Sequence, residues 1–431
     1  SSMFFDGNVE GGTWTIETGG VSGDTAAVRF RGNLALTSLV LNEQTADATV
    51  TFDGGSAQTV TGAIKAGNNG EGILLINNDG ITFNSDIGTN NKRLGTVNIT
   101  KNAAFGAAVK ANTLDIDSDA GATSVTFTGN VRGSAWTIET GGAGDTAGVN
   151  FAGDLNLTSL NIDKETAEAT VTFMGSSSAQ TVAGDITVTT NGDGILAISN
   201  SNSGGVTFED DIGTNSRKVG SVLITGTADF EDTVNATTLD IDTNAGAKTV
   251  IFRDNVTGGA WTIESGASGA TAGVNFRGNV TLTSLNIDKE TAEATVTFDG
   301  SSAQTIAGDI TASANGDGTL VISNTNNSGV TFSGAIGTNS NKIGNLAVVS
   351  GSRGNATFSS TVDATAADID TEAGASTVIF TGNVRGGAWN IETGSSSGDT
   401  AAVNFRGNVT LTSLNIDKQT AEATVTFDGS S

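Results

Sequence analysis

Three short words of the sequence set carboxylates two residues apart. LDIDSD holds Asp115, Asp117 and Asp119; LDIDTN holds Asp240 and Asp242; ADIDTE holds Asp368, Asp370 and Glu372. Two chemistries use such groups. Oxygen ligands about 2.3–2.6 Å from a centre hold Ca²⁺, and two carboxyl groups about 5–10 Å apart can hydrolyse a glycosidic bond. In an extended strand, alternate residues share a face about 7 Å apart. Two such acids could therefore share an ion only where a turn drew them together. The GGxGxD calcium nonapeptide is absent. The acids recur from copy to copy, and no copy adds a distinctive cluster of Asp, Arg and Lys, so polysaccharide degradation is the remotest reading. A solvated acidic face is the simplest one, with structural Ca²⁺ as its alternative and no other cofactor expected.

Steady cationic positions lie in IGTNNKRLG, IGTNSRKVG and IGTNSNKIG: Lys92 and Arg93, Arg217 and Lys218, and Lys342. They read as charged turn tips, or alternatively as lateral contacts to a neighbouring acidic face. The words GSAQ (from Gly55), SSSAQ (from Ser176) and SSAQ (from Ser301) carry hydroxyls with no adjacent His or Lys, hence no activated nucleophile. No phosphate loop, dinucleotide fingerprint or zinc spacing is present. The chain has no His, Cys, Pro or Tyr. This removes the commonest general base near neutral pH, disulfides and thiolate metal sites. It also suits a backbone whose N–H groups nearly all have ladder partners. A net charge of −26 argues against nucleic acid and anionic lipid as partners. There is no apolar run of transmembrane length, so no direct membrane insertion is expected of this segment.

Two nested periods organise these words. Trp14, Trp136, Trp261 and Trp389 all fall in one recurring phrase, GNV-x-GG-x-W-x-IE in its general form. SLNIDKETAEATVTF at 159–173 returns at 284–298 and, with one change, at 413–427. The boundaries this implies are 1–127, 128–252, 253–380 and a truncated fourth copy at 381–431, together forming one continuous solenoid. The chain reads as a piece of a longer polypeptide. A shorter period is marked by Phe127, Phe151, Phe173, Phe208, Phe230 and Phe252, mostly near 22 residues with one longer step. Words such as SVTF alternate apolar and polar residues, which is a strand with one dry side, and GN, GD and NG are turn signals.

The pattern predicts an all-β, right-handed parallel β-helix. Coils of about 22 residues, each with roughly three short strands, would stack within super-repeats of about 125 residues. Phe would lie over Phe inside, and the longer step would hold a loop or a partial coil. The alternative is a string of tandem β-sandwich domains. Because each Trp shares a face with an Ile two residues on, the four Trp and six marker Phe are expected in the core, with ligand stacking by Trp as the alternative. A buried indole N–H would need a partner, and the preceding Gly residues leave room for backbone to approach.

IGTNNKRLGTVNITKNAAFGAAV, IGTNSRKVGSVLITGTADFEDTV and the TLDID words resemble bacterial β-strand-repeat surface proteins. They are most similar to the passenger regions of large autotransporter adhesins, including the rickettsial outer-membrane type, and to related S-layer and filament proteins. The resemblance implies an extracellular, secreted or cell-surface β-helical protein, and it supplies no catalytic residues. The expected function is a non-enzymatic structural region: a rod, a stalk, or a building block of a filament, surface layer or biofilm matrix. The alternative is an adhesin or a glycan- or protein-binding module. Expected partners are further copies of the chain, end to end or side by side, other surface components, and host surfaces or glycans.

Overall fold

The computed structural model describes residues 2–20, 24–118, 121–141, 145–175, 177–243, 246–266, 270–349, 355–371, 375–393, 400–418 and 422–429. Asp119 and Glu372 lie outside them. Among the described residues every regular element is a β-strand. The chain divides into two units, Ser1–Ser221 and Val222–Ser431.

In the first unit the chain alternates between two parallel sheets. One is built by successive pairing of Ala26–Phe30, Ala48–Phe52, Glu71–Ile76, Leu94–Ile99, Val109–Asp117, Ala135–Thr140, Leu155–Lys164 and Gln180–Val188. The other runs through Leu34–Asn42, Thr59–Ala66, Ile81–Phe83, Ala103–Phe105, Thr123–Phe127, Ala147–Phe151, Ala169–Phe173 and Ile195–Ile198. The second unit repeats the arrangement. Each unit is thus a parallel β-solenoid. Sandwich domains are built from antiparallel sheets, so the all-parallel pairing excludes that alternative. Each coil has two strands rather than three. The longer one bends, as where Val131–Arg132 and Ala135–Thr140 form separate segments and where pairing shifts between Asn156 and Ser159.

Alternation in the sequence becomes inside and outside here. Val125 and Phe127 are fully buried while Ser124 is exposed. Phe83, Phe105, Phe127, Phe151 and Phe173 form one column, with adjacent rings stacked at 4.8–5.8 Å. The column does not continue through the longer step. Above Phe173 stands Ile198, and Phe208 begins again in the opposite sheet, in register with Val182. Phe208 meets Phe173 across the core, edge to face at 90°. Phe52 and Phe83 make the same crossing, as do Phe298 and Phe332 in the second unit.

The longer step is therefore one and a half coils. Each sequence copy consequently spans a half-integral number of coils, and equivalent strands change sheets. Leu34–Asn42 and Leu155–Lys164 are the same word one copy apart and lie in opposite sheets of the first unit. Val280–Lys289 and Val409–Asp417 do the same in the second.

The turns stack as tightly as the strands. In the GN and GD words, the side-chain oxygen of one coil accepts a backbone N–H from the next: Asn130 from Asp154 at 3.1 Å, and Asp154 from Thr181 at 3.0 Å. The Gly before each such residue is required by close approach. A Cβ on Gly153 would lie 2.6 Å from the carbonyl carbon of Gly129 in the coil beneath.

Candidate functional site

The carboxylate words converge on the outer face of the solenoid as columns. Asp117, Glu139 and Asp163 occupy the same position in three successive coils. In the second unit Asp242, Glu264 and Asp288 form one such column, and Asp370, Glu392 and Asp417 another. Parallel strands hold adjacent members about 4.8 Å apart. Asp115 and Asp240 flank the first two columns one residue pair away, in register with Thr137 and Thr262. Asp368 flanks the third, in register with Asn390. Sequence spacing alone shows only the i, i+2 pairs; stacking adds the Glu of the Trp word and the Asp of NID.

Burial and crowding act together on these acids. The Glu139 carboxyl is pushed above its usual range first by partial burial, then by the charges of Asp115, Asp117, Asp163 and Glu165. Glu264 is raised in the same way, by burial and then by Asp242, Asp240, Asp288 and Glu290. Asp115 and Asp240 are raised by burial and by their i+2 neighbours. Asp368 is raised by burial and Glu392, against a lowering hydrogen bond from Asn390. Asn390 also donates to Glu392 Oε1 at 2.6 Å. Within each column the carboxylates lie side by side along one sheet face. Among the described residues no group of three His, Cys, Asp or Glu side chains is arranged to hold a metal ion.

The Trp words lie inside. Trp136, Trp261 and Trp389 are each 1% exposed. Each donates its indole N–H to a carbonyl one coil earlier, that of Ala111, Ala236 and Ala364, at 3.3–3.4 Å. The indole occupies the space a side chain at Gly133 would take: a Cβ there would stand 2.3 Å from Trp136 Nε1. Trp14, in the first coil, is half-buried beside Phe5. The marker Phe side chains at 127, 151, 173, 208, 230 and 252 are at most 1% exposed.

The cationic words are turns tied to the neighbouring coil. Thr89 and Lys92 close one turn, and Thr214 and Arg217 its equivalent. The Asn side chains of the NG words accept the next backbone N–H: Asn69 from Arg93, Asn191 from Lys218, and Asn315 from Lys342. The Lys92 ammonium donates to the Gly67 carbonyl and that of Lys342 to Asn339, so these two are engaged within the chain.

One set of polar residues was not singled out from the sequence. The Gln of each SAQ word is buried at 1–2% exposure. Gln180 donates to the carbonyls of Phe151 and Gly153 at 2.9 and 2.8 Å and accepts from Asn200 at 3.1 Å. Gln304 does the same with Phe276, Gly278 and Asn324, and Gln58 donates to Phe30 and Gly32. These clamps sit at or just before the start of the first strand within each longer step. They bond backbone carbonyls of the coil beneath, where the Phe column is about to change sheets. The repetition of SAQ at one fixed place in each copy was the available signal.

No protein-family model, curated protein or solved structure matches the chain significantly.

Proposed function

We propose that this chain is a non-enzymatic structural scaffold, a repeat segment of an extracellular protein of the bacterial surface or of secreted filaments or layers. The observation that carries this reading is the equivalence of the copies. Recurring words keep their jobs: Trp136, Trp261 and Trp389 pack and bond one coil back, Gln58, Gln180 and Gln304 clamp carbonyls of the coil beneath, and the Asn and Asp turns zip to the next coil. The outward carboxylates form columns and are not gathered at one place. A solenoid of this kind grows by addition, because each coil contacts only its neighbours. The −26 charge keeps such a surface hydrated and apart from polyanions.

The test is an insertion series with one, two and three extra copies of residues 128–252, viewed by electron microscopy. Each added copy should lengthen the particle by about 26 Å, the strand spacing multiplied over five to six coils. Particles that thicken or separate into beads with each added copy would refute the scaffold reading.

A further inference from the structure

Where the strand before each Trp word pairs with the Trp word itself, one pair changes its charge between copies. In the second unit Asp363 and Arg385 face each other in adjacent coils. Arg385 donates from Nε and Nη2 to the two carboxylate oxygens of Asp363, both at 2.7 Å. One copy earlier the pair is Asn235 and Thr257. In the first unit it is Lys110 and Arg132. There the arginine is kept, but its carboxylate partner is replaced by a second cation about 4.8 Å away. Among the described residues neither side chain has an ion pair or a hydrogen bond. They line a surface groove of about 610 Å³ together with the exposed Asn90, Asn130 and Asn156. Two acids also line it and keep their charge, held in place by donors of the chain: Asp86 Oδ1 accepts the N–H of Ala108, and Asp154 accepts from Thr181 and from Asn130.

We propose that this groove binds a carboxylated saccharide. The Asp363–Arg385 pair is the chain's own picture of the contact: a carboxylate bidentate on the arginine, the geometry guanidinium favours. With Lys110 in place of Asp363 the carboxylate must come from outside, and two stacked cations on a strongly acidic protein are relieved by it. The carboxamides of Asn90 and Asn156, which have no hydrogen bond among the described residues, suit the hydroxyls of a sugar ring. The −26 net charge disfavours long polyanions, so the favoured ligand is a short uronic-acid oligomer or a chain end. The inference does not depend on the scaffold reading.

The test is isothermal titration of the full chain with trigalacturonate, with maltotriose as the neutral control. Two variants borrow residues from the other copies: Arg132→Thr copies Thr257, and Lys110→Asp recreates the Asp363–Arg385 pair. Saturable binding of trigalacturonate but not maltotriose, weakened at least about tenfold by each variant, is the expected result, since a charged hydrogen bond is worth about that factor. Absence of saturable binding, or binding unchanged in both folded variants, would overturn the proposal. So would a concentration-dependent self-association that Lys110→Asp abolishes while saccharide has no effect; the carboxylates would then come from a second copy.

Discussion

At the residue scale the acid columns oppose the fold that displays them. A carboxyl whose folded pKa is raised binds its proton more tightly in the native state. The favourable contribution is complete below the unfolded pKa, near 4, and is lost as pH rises through the folded value. Glu139, Glu264, Asp115, Asp240 and Asp368 all shift in this direction. Glu71 opposes them. Burial raises its pKa, but hydrogen bonds from the Asn68 side chain and from the Glu43 and Asn68 backbone, with Lys92 nearby, bring it down. Glu139→Gln should raise the melting temperature at pH 7 and shrink the gain on acidification to pH 4.5, read by circular dichroism in low salt. The Gln clamps carry the opposite expectation. Gln180→Ala removes a donor from the carbonyls of Phe151 and Gly153 and an acceptor from Asn200, and should cost about 1–3 kcal/mol in urea unfolding.

At the scale of the strand and turn, much was legible. Phe at intervals near 22, alternation in SVTF and TLDID, and GN turn words all describe a coil. The dry side of Trp136 follows from its spacing to Ile138. The crossing of the core at the longer step was not legible, for a physical reason. The strand that continues the column above Phe173 is ILAI, whose Ile198 fills the place of an aromatic ring. A period traced through Phe skips it, and the polar turn that follows looks like the whole insertion. Gln180 was hidden because one polar residue at a strand start reads as part of a turn. The same stacking makes small turn residues sensitive. Gly153→Ala puts a methyl group against the Gly129 backbone and should destabilise, whereas an Ala at the open position Gly55, where no atom lies within 4 Å, should be tolerated. Thermal melts of the two variants check this.

At the scale of the whole molecule, the half-integral coil count has a consequence for editing the chain. Removing residues 128–252 takes out one full copy. It leaves every remaining coil between neighbours of the kind it had, because the strand Val256–Gly258 would replace Val131–Arg132 above Val109–Asp117. The deletion should fold with one cooperative transition. Removing only Ala147–Phe151 and its turn would force every later strand into the wrong sheet and should abolish folding. Sodium chloride should raise the melting temperature of the parent chain, because salt screens like charges within and between the columns.

Disulfide trapping reads out the exchange of sheets within each copy. The chain has no Cys of its own. Outward pairs in adjacent coils sit at a spacing a disulfide can bridge. Thr172 stands beside Ala197, and Thr181 beside Thr207. Thr172→Cys with Ala197→Cys, and Thr181→Cys with Thr207→Cys, should oxidise readily to intrachain disulfides seen on non-reducing gels and by mass spectrometry. Thr172→Cys with Thr207→Cys should stay reduced. An uninterrupted column of Phe over Phe would place those last two side by side, so their ready oxidation, with failure of the first two pairs, would contradict the fold described.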